Sequence, residues 1–169
     1  MTTLTICASL GLATAIALCG GAARADDEPV PAPQGATLVL EASADGVQIY
    51  ACEVKDKVYS WVFKAPEANL FGDDDRQIGT HFAGPSWKAA DGSTVVGEVM
   101  AQADAPDGDA IPWLLLRAKS HTGAGLFANV TYVRRSDTTG GMAPEGGCDA
   151  GHVNEQARMR YSATYQFYK

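Results

Sequence analysis

The sequence predicts an all-β fold, a single antiparallel domain arranged as a β-sandwich or, alternatively, as a partly closed β-barrel with long loops. Apolar residues recur mainly with a period of two, as in strands that bury one face. Gly, Pro, Asp and Asn separate these segments at short intervals, and no long stretch has the spacing of a helix. About eight or nine short strands of this kind are typical of sandwiches and barrels.

The domain is predicted to begin with three adjacent strands. They cover residues 36–41, 47–54 and 58–63. Tight turns are predicted at Asp45-Gly46 and at Asp56-Lys57. The third strand is expected to end at Pro66, because proline cannot donate to a strand ladder. A loop with one helical turn over residues 67–70 is predicted to follow.

The later strands are separated by loops of uneven length. They are predicted over residues 77–82, 94–103, 111–119, 126–135 and 161–168. The segment 126–135 alternates most regularly of all, and Pro112 places its own strand at an edge or a bulge. Residues 138–154 are rich in glycine and are predicted to form a loop.

Residues 1–25 are predicted to be a signal peptide that is cleaved after Ala25. An apolar run over residues 4–19 is followed by the small-x-small triplet that ends at Ala25. The run has no Lys or Arg ahead of it, so an uncleaved anchor and lipid attachment at Cys19 are the alternatives. Cleavage would leave residues 26–169 as one β domain, periplasmic or extracellular.

The net charge of the chain excludes some classes of binding partner. The sequence carries a net charge of −7, with 20 acidic and 13 basic residues, and loss of Arg24 with the leader makes it more acidic. Nucleic acid and anionic lipid both require basic surface, so neither is expected to bind. Beyond residue 25 no apolar stretch is long enough to span a bilayer, so no stable membrane insertion is expected after cleavage. The predicted partner is an unknown small molecule or an envelope component.

Two of the four cysteines, Cys7 and Cys19, lie in the predicted leader. The remaining pair, Cys52 and Cys148, is predicted to form a disulfide in an oxidising compartment. The bond would close most of the domain into a loop. Because such a loop lowers the entropy of the unfolded chain, it should stabilise the folded protein by about 4–5 kcal/mol. A reactive thiol, or a metal ligand beside His152, is the alternative.

Short segments spread along the chain also carry a family signature. They are residues 46–52, 61–70, 81–87, 91–97, 110–116, 147–149 and 161–168. In this order they resemble domain-of-unknown-function family 3455. The resemblance implies an exported protein of the bacterial or fungal kind and implies no particular activity. Met159-Arg160 depart from the family, which usually has an apolar residue and proline there.

The strongest candidate site lies in the small-residue segment 79–87. His81 and Asp91 are the catalytic candidates, because a carboxylate could orient the imidazole as an acid–base pair. His81, Trp87 and Asp149 are the candidate ligand-binding residues, since a tryptophan in a loop could wall a pocket. No metal or other cofactor is predicted, because no two histidines have the spacing that places ligands on one element.

The leading functional hypothesis is a non-enzymatic envelope or extracellular ligand-binding module. The alternatives are an enzyme that uses His81 as a general acid or base, and a purely structural or interaction protein. A concave pocket that exposes His81 and Trp87 would favour binding or catalysis. Complete burial of both side chains would favour a structural role.

Overall fold

The fold is one sheet of eight antiparallel strands that closes on itself, as seen in a computed structural model that describes residues 28–169. Each strand pairs with the next along the chain, and the last pairs with the first. The strands are β1 (Leu38–Lys55), β2 (Val58–Phe71), β3 (Gln77–Phe82), β4 (Ser86–Ala89), β5 (Thr94–Ala103), β6 (Trp113–Thr122), β7 (Tyr132–Gly140) and β8 (Gln156–Tyr168).

The predicted all-β, antiparallel fold with one disulfide is confirmed. The pairing of β1 with β8 corresponds to the closed alternative, because the strands form one ring of hydrogen bonds. Cys52 of β1 is bonded to Cys148 in the loop before β8. No helix in residues 28–169 has the length and apolar character needed to cross a membrane. The predicted signal peptide lies outside the described residues.

β1 is one continuous strand of 18 residues, so the predicted turn at Asp45-Gly46 is wrong. The pair Asp-Gly is typical of hairpins, but here the glycine serves close packing between strands. A Cβ on Gly46 would lie 2.2 Å from the Glu67 carbonyl oxygen and 2.5 Å from the Ala68 Cα. Gly46 therefore lets β2 approach β1 in the middle of the strand. The predicted turn at Asp56-Lys57 is confirmed.

β2 runs through Pro66 to Phe71, so the predicted strand end and the helical turn over 67–70 are both wrong. Pro66 pairs with Gln48 of β1 on one side. On its other side β3 begins to pair only at Ala68. Pro66 thus occupies an unpaired edge, where its missing N–H breaks no hydrogen bond.

The regular alternation over residues 126–135 predicted a strand that the structure places later, at Tyr132–Gly140. Residues 126–129 form turns instead. Phe127 and Val130 are buried, but they reach the interior from a loop at one end of the ring. Spaced apolar residues can therefore come from a loop that covers a core as well as from a strand.

The other boundaries agree with the prediction to different degrees. The strands at 77–82 and 94–103 are confirmed. Strand β4 was not predicted, because its four residues are too short for a periodic pattern. β6 starts two residues later than expected, β8 starts five residues earlier, and the glycine-rich loop begins only after Gly140.

Apolar residues are buried on both sides of part of the sheet. The inner cluster fills the ring and includes Leu70, Trp87, Phe127, Tyr165 and Phe167. A second cluster outside the ring contains Val30 of the N-terminal segment, Ala105 and Ala110 of the loop before β6, and Trp113, the first residue of β6. Consecutive residues of β7 are consequently buried on opposite faces.

The short hairpin of β3 and β4 leaves an opening in the sheet. β3 pairs with β2 only over residues 68–71, and β4 pairs with β5 only over residues 94–96. The hairpin tip ends at Pro85, whose carbonyl accepts the Gly97 N–H at 2.9 Å. Beyond the tip, the first half of β2 and the second half of β5 have no strand between them.

Candidate ligand-binding cavity

A cavity of about 400 Å³ lies inside the ring and opens at the gap between β2 and β5. This volume is within the range of small-molecule pockets, about 300–1,000 Å³. Phe63 and Val99 stand on the two sides of the opening and are about half exposed. We call this whole space the inner cavity, and its deeper wall includes Gln48, Tyr50, His81, Trp87, Arg135 and Tyr165.

His81 and Trp87 were predicted to share a site, and the structure brings them together. They are paired across β3 and β4, and their rings stack with centroids 4.6 Å apart and planes 10° apart. Both residues line the inner cavity, although only 3% of His81 and 1% of Trp87 is exposed. A molecule could therefore reach them only by entering the cavity.

His81 is neutral at ordinary pH. Burial lowers its pKa to about 3, a hydrogen bond to the Ser86 carbonyl opposes that shift, and the positive charge of Arg135 adds to it. Nδ1 lies 2.9 Å from the Ser86 oxygen and must donate to it, so Nε2 carries no proton. A neutral imidazole of such low basicity is a poor proton donor and a weak base near neutral pH.

Asp91 does not pair with His81, so the predicted acid–base arrangement is not formed in the structure. Its carboxylate accepts hydrogen bonds from the Ser93 hydroxyl at 2.6 Å and the Ser93 N–H at 2.8 Å. It also accepts the Leu126 N–H at 2.8 Å. These bonds, led by that of the Ser93 hydroxyl, lower the pKa of Asp91. Asp91 joins the β4–β5 turn to the loop that carries Phe127.

Asp149 lies outside the inner cavity, apart from the other candidate ligand-binding residues. Its Oδ1 is 2.7 Å from Nδ1 of His152 and accepts the Gly151 N–H at 2.8 Å. The hydrogen bond with His152 is the main cause that lowers the pKa of Asp149, and it also raises the pKa of His152. Asp149 is exposed in the loop next to Cys148.

Apart from His81, sequence reasoning missed the polar residues of the inner cavity, above all Arg135. Arg135 is 8% exposed, and its Nε and Nη2 both donate to the Pro112 carbonyl, at 3.0 and 2.7 Å. The signal was available in the pair Arg134-Arg135. Because side chains of consecutive strand residues point to opposite faces, one of the two must point inward.

Three other lining residues carry a buried polar atom that has no hydrogen-bond partner among residues 28–169. These atoms are Nε2 of Gln48, Nε1 of Trp87 and the hydroxyl oxygen of Tyr165. Buried polar atoms are satisfied in most proteins, so several orphans around one cavity are unusual. By contrast, the hydroxyl of Tyr50 donates to the Gly141 carbonyl at 2.7 Å.

The inner cavity combines an apolar lining with a small number of polar groups. Its walls are mainly aromatic and aliphatic, its polar groups are mainly hydrogen-bond donors, and its histidine is neutral. Within residues 28–169, no three His, Cys, Asp or Glu side chains gather as metal ligands would. An apolar molecule with acceptor atoms would match such a lining.

Comparisons with known proteins extend the description only to family level. No curated protein and no solved structure matched the chain. The family model described as "Protein of unknown function (DUF3455)" matches residues 31–169, which span the whole closed sheet. The segments that carry the signature include residues 81–87, which contain His81, Trp87 and the turn of the β3–β4 hairpin. The chain therefore belongs to the protein family of unknown function DUF3455.

Proposed function

We propose that this protein is an exported, non-enzymatic module that binds a small, largely apolar molecule inside its closed sheet. The observation that carries the proposal is the inner cavity itself, which combines a volume of about 400 Å³ with orphaned hydrogen-bond donors. A core built only for stability would be expected to fill such a space and to satisfy its polar atoms.

The opening supports the same proposal. Phe63 is 50% exposed and Val99 is 48% exposed, so the rim presents apolar surface to solvent. Their strands lack partners on the facing sides because the β3–β4 hairpin is short. An apolar rim over an apolar cavity favours entry of an apolar molecule.

The alternative functions fit the site less well. Acid–base catalysis by His81 requires a pKa near the working pH, and burial holds the pKa of His81 at about 3. A purely structural role fits the burial of His81 and Trp87 but leaves the cavity without a purpose. Binding accounts for both observations.

A neutral apolar fluorophore, N-phenyl-1-naphthylamine, tests binding directly. We expect saturable binding at one site with increased probe emission. Val99→Asp, which places a charge on the rim, should weaken binding several-fold. Val58→Asp is the matched control, because Val58 is 65% exposed and does not line the cavity. Absence of saturable binding, or equal loss in both variants, would overturn the proposal.

Export is supported by the leader-like residues 1–25 and by the disulfide, since such bonds persist mainly in oxidising compartments. Expression of the full chain in a bacterial host, followed by fractionation and amino-terminal sequencing, tests it. We expect material outside the cytoplasm that starts at Asp26. Cytoplasmic protein that retains residue 1 would contradict export.

A further inference from the structure

Two neighbouring arginines of β7 are buried on opposite faces of the sheet, and their surroundings differ. Arg134, on the outer face, donates to the Val30 carbonyl and to Oε1 of Gln166, each at 2.7 Å. It also pairs with the carboxylate of Glu28. The charge of Arg134 is thus balanced and its donors are used.

Arg135 lies on the inner face, and its positive charge is not balanced in this way. Its hydrogen bonds go to a single neutral acceptor, the Pro112 carbonyl. In the part of the chain that the structure describes, no carboxylate lies within ion-pair distance of its guanidinium. A buried cation without a counter-ion is costly, so its retention suggests a role beyond folding.

Other orphaned donors line the same cavity as Arg135, and they too would favour a ligand with acceptor atoms. Nε1 of Trp87 can only donate, and the amide nitrogen of Gln48 donates as well. The Tyr165 hydroxyl lies beside Arg135 and lines the same cavity. Among residues 28–169, the hydrogen bonds recorded for the guanidinium use only Nε and one N–H of Nη2. The N–H groups that remain on Nη1 and Nη2 can hold the two oxygens of a carboxylate.

We propose that Arg135 binds the carboxylate of an apolar acid whose hydrocarbon part extends through the inner cavity towards Phe63 and Val99. This inference rests on the proposed function, because it names the ligand class of the same cavity. Lys64, the other cation of the lining, already pairs with Glu53 near the rim. Arg135 is accordingly the anchor, and Gln48, Trp87 and Tyr165 supply the neutral donors around it.

Three probes with the same tail separate the head group from the cavity: dodecanoate, dodecanol and dodecylamine. Their affinities are measured by competition with N-phenyl-1-naphthylamine, below the solubility limit of dodecanol and below the concentrations at which the two ionic probes form micelles. Because hydrogen bonds to charged groups are stronger than neutral ones, dodecanoate should bind at least about 10-fold more tightly than dodecanol. Dodecylamine should bind most weakly, since it would place a second cation beside Arg135.

The variant Arg135→Met removes the charge at similar length. It should bring the affinities for dodecanoate and dodecanol to within about 2-fold of each other, since only the acid loses its anchor. Arg117→Met is the matched control, because Arg117 is exposed, pairs with Glu98 and does not line the inner cavity. This control should keep the preference of the wild-type protein for the acid.

The outcomes distinguish the two proposals. If dodecanol and dodecanoate bind equally to the wild-type protein, the anion site is wrong and the apolar cavity stands. If none of the probes competes and the fluorophore itself does not bind, the proposed function fails as well. The comparison of probes on the wild-type protein needs no variant, so it holds even if Arg135→Met does not fold.

Discussion

The imidazole of His81 lies parallel to the indole of Trp87, with ring centroids 4.6 Å apart, on facing positions of β3 and β4. Tyr165 packs at an angle against both rings. Stacking of this kind fits a neutral imidazole that is buried from water. The protonation state of His81 is therefore tied to the stability of the inner wall.

His81 should make the protein sensitive to mild acid. Its pKa is lowered in the folded state, from 6.5 to about 3, so between these values the unfolded chain binds the additional proton. The contribution of His81 to stability is complete above pH 6.5 and falls by about 1.4 kcal/mol per pH unit below it. Urea unfolding between pH 4.5 and pH 7.5 measures this slope.

The variant His81→Gln isolates that effect, because glutamine can donate to the Ser86 carbonyl but does not titrate. We expect its stability to depend less steeply on pH than that of the wild-type protein across this window. The carboxylates titrate in both proteins and cancel in the comparison. Parallel curves for the two proteins would show that His81 is not held neutral by burial.

The Cys52–Cys148 bond should be a major source of stability. It joins residues 96 positions apart, and Cys52 is fully buried. Replacing both cysteines by alanine should lower the free energy of unfolding by about 2–5 kcal/mol, because the unfolded chain regains its freedom. Reduction of the wild-type protein should have a similar effect in urea unfolding. A loss below about 1 kcal/mol would contradict this account.

Ser93 should stabilise the end of the ring at which the β4–β5 turn contacts the loop that carries Phe127. Its buried hydroxyl donates to Asp91 at 2.6 Å and accepts the Phe127 N–H at 3.0 Å. Ser93→Ala leaves that N–H without a partner and should cost roughly 1–3 kcal/mol in urea unfolding. Ser86→Ala is the control, because the Ser86 hydroxyl makes only a 3.4 Å contact with Gly84. Equal losses in both variants would contradict a special role for Ser93.

Gly46 should not tolerate a side chain. A Cβ there would lie 2.2 Å from the Glu67 carbonyl oxygen, so Gly46→Ala must push β1 and β2 apart. We expect a loss of roughly 1–3 kcal/mol or more, measured as a lower Tm. Gly146→Ala provides a control, because a Cβ on Gly146 would contact nothing within 4 Å. A wild-type Tm for Gly46→Ala would refute the close approach.

The sequence correctly predicted those elements whose structure depends mainly on residues that are close together in the chain. The strands at 77–82 and 94–103 and the turn at Asp56-Lys57 followed from alternation and turn chemistry. The pattern misled at Gly46 and Pro66. Both residues are typical of turns, but here their roles depend on neighbouring strands. Gly46 allows the close approach of β2, and Pro66 lies on an edge that β3 leaves unpaired.

In the candidate site, too, contacts between residues close in sequence could be predicted and contacts between distant residues could not. His81 and Trp87 could be joined from sequence because they lie on one short hairpin. Asp91 could not be assigned from its closeness in sequence, since Leu126, far along the chain, competes for its carboxylate. Arg135 comes from β7 and meets the hairpin only because the ring closes.

By itself the sequence determined the all-β class, the family signature and the pairing of Cys52 with Cys148, because composition, period and cysteine count carry that information. Tertiary structure decided that the sheet closes, that its short hairpin leaves an opening, and that Arg135 lies inside with no counter-ion from residues 28–169. These properties depend on which distant strands pair, and no local pattern records such pairing.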